Sequence, residues 1–359
     1  MRSEIENPYT NLPPSAFWRS AIADVGLFGL QDLWEGKLDI NETCRFATFG
    51  SCFAQHISRA LVERKLNWIN AEPAPGRTPA SLASRYNYGI FSARTANIYT
   101  ARQLLEWAKL ANATEYAENI EVWEDGGCFR DSLRPMIEPN GFKDRTQTIA
   151  MLQSTARAFR AAITEADVFV FTLGLTEGWE NKKNGQPYGL CPGTLAGTYD
   201  QETHVFKNYR YPDVMAHLEE ALEILWTLNP SLQFLFTVSP VPLTATANPG
   251  THVLVATTYS KSVLRAVASD MAQNHSRIDY FPSYEIITGT PTRAMFFEPN
   301  MRSVSPYGVR FVMEHFFTGL GISAPPSSEN DDEKQQLEMV ADEQDVVCEE
   351  MILEQYNGR

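Results

Sequence analysis

The chain has 359 residues, 43% apolar and 21% charged, with a formal net charge of −14. That length buries a large core without disulfides or metal staples, and no stretch approaches the ~20 consecutive apolar residues of a membrane span. Five scattered cysteines, odd in number and without CxxC spacing, argue against a disulfide framework and a zinc ribbon. The first twenty residues contain no apolar run of the signal-peptide kind, so the cytoplasm is the expected compartment. The charge is uneven. Residues 329–359 hold eleven acids and two bases, net −9, which leaves −5 on residues 1–328. No dense Lys/Arg block is present, which removes the electrostatic footprint of a nucleic-acid binder.

Residues 1–44 read as an irregular arm. Pro8, Pro13 and Pro14 interrupt helix, and Phe17, Trp18, Leu27, Phe28, Leu30 and Trp34 are expected to pin the arm to the body. Phe46-Ala47-Thr48-Phe49 is a buried-type strand that stops at Gly50-Ser51. Phe53, Ile57, Ala60 and Leu61 then recur at helical spacing. Residues 71–96 read as loop, 103–110 as helix, 120–145 as irregular or hairpin, and 147–164 as helix. Strands are expected at 167–173, 234–238 and 278–281, with a long polar loop at 181–212. Helices follow at 214–228, 252–272 and 305–317, the last with Ser305 as N-cap and Pro306 at its first position. Short apolar strands alternating with helices predict a parallel sheet covered on both faces, with its site at the strand C-termini. After Pro325-Pro326 the chain reads as an acidic tail, solvated and partly disordered. Leu337, Val340, Val347 and Met351 could instead line a partner-binding helix.

The strongest local signal is Gly50-Ser51-Cys52-Phe53-Ala54. A serine between a buried strand and a helix presents its hydroxyl at the sheet top, beside unpaired helix N–H groups. Such a serine is either a helix cap or a nucleophile with an oxyanion site at hand. Cys52 competes as a nucleophile, since a thiolate at a helix start is stabilised, although a free cysteine is more often a buried, inert one.

That pentapeptide resembles the signature of the GSCFA domain family, of the SGNH (GDSL-like) hydrolase group. Asn97-Ile98-Tyr99-Thr100, Leu133-Arg134-Pro135, Leu173-Gly174-Leu175-Thr176-Glu177, residues 237–242 and residues 280–285 resemble further landmarks of the same family. The resemblance implies an α/β fold, a three-layer αβα sandwich with a flavodoxin-like parallel sheet and long loop insertions. It places an SGNH-like domain at 45–323 between the arm (1–44) and the tail (324–359). It implies a serine-dependent esterase or O-acyltransferase acting on a carbohydrate or polysaccharide.

Within that resemblance Ser51 is the nucleophile. Its own N–H, backbone near Gly89 or Asn97, and Thr176 are expected to hold the oxyanion. Thr176 stands where typical members carry asparagine. The Asp-x-x-His expected before the last helix is replaced by Asn300-Met301-Arg302-Ser303. Either a base comes from elsewhere or the domain does not hydrolyse anything quickly. Of six histidines, His252 is the first choice, because it follows a loop leaving the same sheet edge as Ser51. Glu285 or Glu177 would orient it. Trp179 and Tyr188, with Tyr86, Tyr88, Trp123 and Tyr199, could stack on sugar faces. Arg85, Arg94, Arg134, Arg210 and Arg302 could bind carboxylates or phosphates. No cofactor and no metal is indicated. The alternative function is a glycan-binding scaffold that has lost turnover. The acidic tail is a candidate contact for a protein partner.

Overall fold

In the computed structural model, residues 7–322 and 346–357 are described. In chain order they form β1 (Arg45–Gly50), α1 (Ala54–Glu63), β2 (Asn67–Trp68), α2 (Ala80–Arg85), α3 (Ala101–Asn112), the hairpin β3 (Val122–Asp125) and β4 (Cys128–Asp131), and α4 (Arg145–Glu165). They continue through β5 (Val168–Leu173), the hairpin β6 (Glu177–Asn181) and β7 (His204–Asn208), α5 (Tyr211–Leu228), β8 (Gln233–Val238), α6 (Val253–Asn274), β9 (Ile278–Phe281), α7 (Ser283–Thr288) and α8 (Pro306–Gly319). A final 3₁₀ segment covers Glu349–Tyr356.

The main sheet has five strands in the order β2-β1-β5-β8-β9, and every pairing in it is parallel. Side chains alternate between its faces along each strand. Ala47, Phe49, Phe169, Phe171, Phe234 and Phe236 join one core with residues of α3, α4, α5 and α6. Phe46, Val168, Val170, Leu235 and Phe281 join the other, with residues of α1, α7 and α8. The result is a three-layer α/β sandwich. Numbered within the sheet, the strand order is 2-1-3-4-5, the flavodoxin-like winding. Its direction reverses between β1 and β5, and such folds bind ligands there, beyond the strand C-termini. Gly50-Ser51 and Gly174 leave these two strands at that point.

The four long strands fall where the apolar runs predict them. The edge strand β2 is too short to show in hydrophobic patterning. The polar loop expected at 181–212 ends in β7, which pairs antiparallel with β6. The arm is fixed by Leu30, Trp34, Leu38 and Ile40, whereas Phe17, Trp18 and Phe28 are exposed rather than pinned. Of the tail, Leu337 and Val340 lie outside the described residues. Residues 346–357 lie against the body, with Val347 outside any regular element and Met351 in the 3₁₀ segment. Among the described residues no helix is long and apolar enough to cross a membrane.

Candidate active site

Backbone close packing sets the position of Ser51. Gly50 has φ +134°, and a Cβ there would come within 2.5 Å of the Thr172 carbonyl oxygen, so only glycine fits. The chain then turns directly into α1. Ala54 N donates to Ser51 O at 2.9 Å and Gln55 N to Cys52 O at 3.2 Å. Ser51 is 2% exposed, and its Oγ is buried with no hydrogen-bond partner. A buried hydroxyl without a partner is costly, and this one faces a small cavity lined by Cys52, Tyr99, Gly174, Leu175, Ser239 and Glu350. Tyr99, Leu175 and Glu350 also line an adjoining cavity of ≈ 290 Å³, whose walls include Glu177, Trp179, Tyr188 and Phe206.

The structure divides the residues expected at this site. Asn97, Gly174, Glu177, Trp179 and Tyr188 lie at one or other cavity or at the contacts that close them. His252 does not reach Ser51. It is an exposed residue at the start of α6, and its Nδ1 accepts from Leu254 N at 3.1 Å, as a helix cap does. Glu285 is held by Arg265 and the Tyr280 hydroxyl, away from both cavities. Glu177 accepts from Thr246 Oγ1 at 2.7 Å and Ala247 N at 3.3 Å, and burial raises its pKa. It lines the larger cavity without an imidazole to orient.

The expected oxyanion donors are also spent. Ser51 N donates to Thr172 O at 3.0 Å, which continues the β1–β5 ladder. Thr176 Oγ1 donates to Asn208 Oδ1 at 2.7 Å and is buried beneath the β6–β7 hairpin. Gly89 sits at an exposed turn with φ +71°. The Cys52 N–H has no partner among the described residues.

None of the other histidines supplies a base. His56 packs on Phe53, and burial lowers its pKa to about 3. His204 Nδ1 accepts from Asp200 N, and its ring packs on Tyr188 and Tyr199. His217 lies against Tyr209, His275 beside Trp226 and His315 against Phe311. Among the candidate arginines, Arg94 pairs with Glu138, Arg134 with Asp131 and Arg210 with Asp213. Only Arg302 joins the cluster around Ser51.

Residues with no sequence signal complete that cluster. Lys261, from the middle of α6, is 2% exposed. Its Nζ donates to Gly174 O, and the Gly174 backbone packs directly on Ser51 Cβ. Burial lowers the Lys261 pKa to about 8, against the opposing pull of Glu350 and Cys52. A lysine inside an amphipathic helix reads as a surface position, so only the packing reveals it.

The C-terminal segment closes the site. Gln55 Nε2 donates to Val347 O at 2.7 Å, and Val347 N donates back to Gln55 Oε1 at 3.1 Å. Asn97 Nδ2 donates to Val347 O at 2.8 Å and also to the Glu349 carboxylate. Tyr99 Oη donates to Glu349 Oε2 at 2.8 Å. Arg302 Nη2 reaches Cys348 Sγ at 3.6 Å and Glu350 Oε2 at 3.4 Å. Cys348 also interacts with the Cys52 thiol. Of these two thiols Cys348 is the one that ionises. Its neighbour Cys52 and the Arg302 charge hold it down at about 5, while Cys52 is raised by Cys348 and by burial. Among the described residues no group of His, Cys, Asp and Glu side chains is placed to hold a metal ion.

Among solved structures, a Clostridium thermocellum family 3 carbohydrate esterase shares 10% sequence identity at a TM-score of 0.32, over 77% of this chain and 94% of that one. No curated protein matches the sequence. The GSCFA family model matches residues 45–316, a span that contains the whole sheet, Ser51, Lys261 and Arg302. This chain belongs to the GSCFA family.

Proposed function

We propose that the chain is a serine-dependent esterase or O-acyltransferase for a carbohydrate, with Ser51 as nucleophile and Lys261 as its proton acceptor. The observation that carries this reading is the unpartnered Ser51 hydroxyl at the sheet's switch point, next to a backbone glycine held by a buried lysine. Serine–lysine pairs are one of the recurring ways to activate a hydroxyl. A lysine with a pKa of about 8 is partly neutral near physiological pH, as a base must be. Ser51 Oγ attacks the acyl carbonyl carbon, its proton passes to Lys261 Nζ, and the ester C–O bond breaks as the alcohol leaves. Water or an acceptor hydroxyl then takes the acyl group from Ser51. The Cys52 N–H, unpartnered among the described residues, is the donor for the oxyanion. Trp179 and Tyr188, on the wall of the larger cavity, offer ring faces to a sugar.

A fluorophosphonate tests this directly. An adduct located on Ser51 by mass spectrometry, with ester turnover lost in Ser51→Ala, is the expected result. Absence of both in a variant whose C-terminal segment is released rules the chemistry out. A second reading, a glycan-binding protein without turnover, draws on two observations: no imidazole stands at Ser51, and Thr176 is committed to Asn208. Saccharide binding with no Ser51 adduct would favour it.

A further inference from the structure

The segment over Ser51 fits its seat incompletely. Its acidic side chains meet a wall made almost wholly of donors: Asn97 Nδ2 and N–H, Tyr99 Oη and the Arg302 guanidinium. Asn97, Tyr99 and Gln55 are buried. Yet the Ser51 hydroxyl and Arg302 Nε remain without partners. A wall of buried donors is expensive to leave empty, and two of its groups still await an acceptor.

We infer that this wall is a carboxylate-binding subsite for an acidic sugar, and that Val347–Glu350 occupy it as an internal competitor. The inference rests on the proposed carbohydrate substrate and names its class: a saccharide carrying a uronic-acid carboxylate near the acyl group. Two observations select that chemistry. First, Glu350 lines both the Ser51 cavity and the larger aromatic one, so an acid here borders the nucleophile and the sugar-stacking wall together. Second, Arg302 brings a fixed positive charge to that border. A neutral hydroxyl would accept a hydrogen bond from it and leave the charge unbalanced, whereas a planar carboxylate can take two guanidinium N–H groups side by side, Nε among them. Substrate carboxylate and chain segment would exclude each other, because both need Arg302 and the Asn97–Tyr99 donors.

The test is binding to the full-length chain by titration calorimetry, with D-galacturonate and D-galactose as probes. Two variants release the segment by different routes. Glu349→Gln/Glu350→Gln removes its acids, and Gln55→Ala removes the two Gln55–Val347 main-chain hydrogen bonds while leaving Asn97, Tyr99 and Arg302 in place. In both variants D-galacturonate should bind about tenfold or more tighter than it binds the wild type, and tighter than D-galactose by a similar factor. Arg302→Met in either background should erase that difference. Equal binding of the two sugars, or binding of neither in both released variants, overturns the inference. Fluorophosphonate labelling of Ser51 in the same variants reports separately on the esterase reading, so that failure of one is told from failure of the other.

Discussion

Gly174 and Ser51 touch backbone to side chain: a Cβ on Gly174 would stand 2.9 Å from Ser51 Cβ and 2.9 Å from the Tyr99 carbonyl oxygen. The Tyr99 carbonyl accepts from both Gly174 N and Leu175 N, at 3.1 and 3.0 Å, so the strand end is clamped from two sides. Gly174→Ala has no flexible group to push aside. We expect it to cost about 1–3 kcal/mol of stability, read from urea unfolding, and to reduce Ser51 labelling by more than that loss explains. A variant of wild-type stability and labelling rate would show that the contact does not position the serine.

Lys261 sets a pH signature. Its pKa is lowered to about 8 chiefly by burial, with Arg302 lowering it and Glu350 and Cys52 raising it. A base acts in its neutral form, so the Ser51-dependent rate should rise with pH through about 8 and level off above it. Lys261→Met should abolish that limb and lower the rate by about a hundredfold or more. His252→Ala should change neither, because that imidazole caps α6. A limb centred near the usual histidine value instead would point to an imidazole and away from Lys261.

Cys348 lies 3.6 Å from Arg302 Nη2, and Cys52 and Arg302 together hold its pKa down at about 5. Oxidised glutathione should therefore be attacked by Cys348, releasing one glutathione thiol. Cys52 then displaces the second and closes a protein disulfide. Peptide mapping should find Cys52 joined to Cys348, and fluorophosphonate should label Ser51 more slowly until dithiothreitol is added. An unchanged labelling rate in the crosslinked protein means that the segment does not guard the serine.

Arg134, expected from the sequence as a candidate ligand for carboxylates or phosphates, makes buried structural contacts instead. Arg134 is buried, and Nε bonds Asp131 at 3.0 Å while Nη1 bonds Arg94 O and Thr155 Oγ1. This pair ties the β3–β4 hairpin to α4. Removing one member of a buried ion pair strands the other, so Arg134→Ala should cost about 3–5 kcal/mol by denaturant unfolding. A loss below 1 kcal/mol would mean that water reaches Asp131.

Local pattern is enough to read the strands β1, β5, β8 and β9, the helices between them and the glycine–serine turn at the sheet's edge. Those features depend on near neighbours: apolar runs of strand length, helical spacing of Phe53, Ile57 and Leu61, and a glycine that no other residue can replace. Of the residues the sequence singles out, Asn97, Gly174, Trp179 and Tyr188 lie at the cavities beside Ser51 or at the contacts that close them. Which side chains surround Ser51 follows from packing alone. Lys261 lies 210 positions further along the chain, and Val347–Glu350 nearly 300. Nothing in their local spacing tells a buried lysine from a surface one, or an acidic tail in water from one seated on a donor wall. His252, chosen for its place on the right edge of the sheet, capped its helix instead, because a side chain's partner is set by packing and by the nearest unpaired N–H.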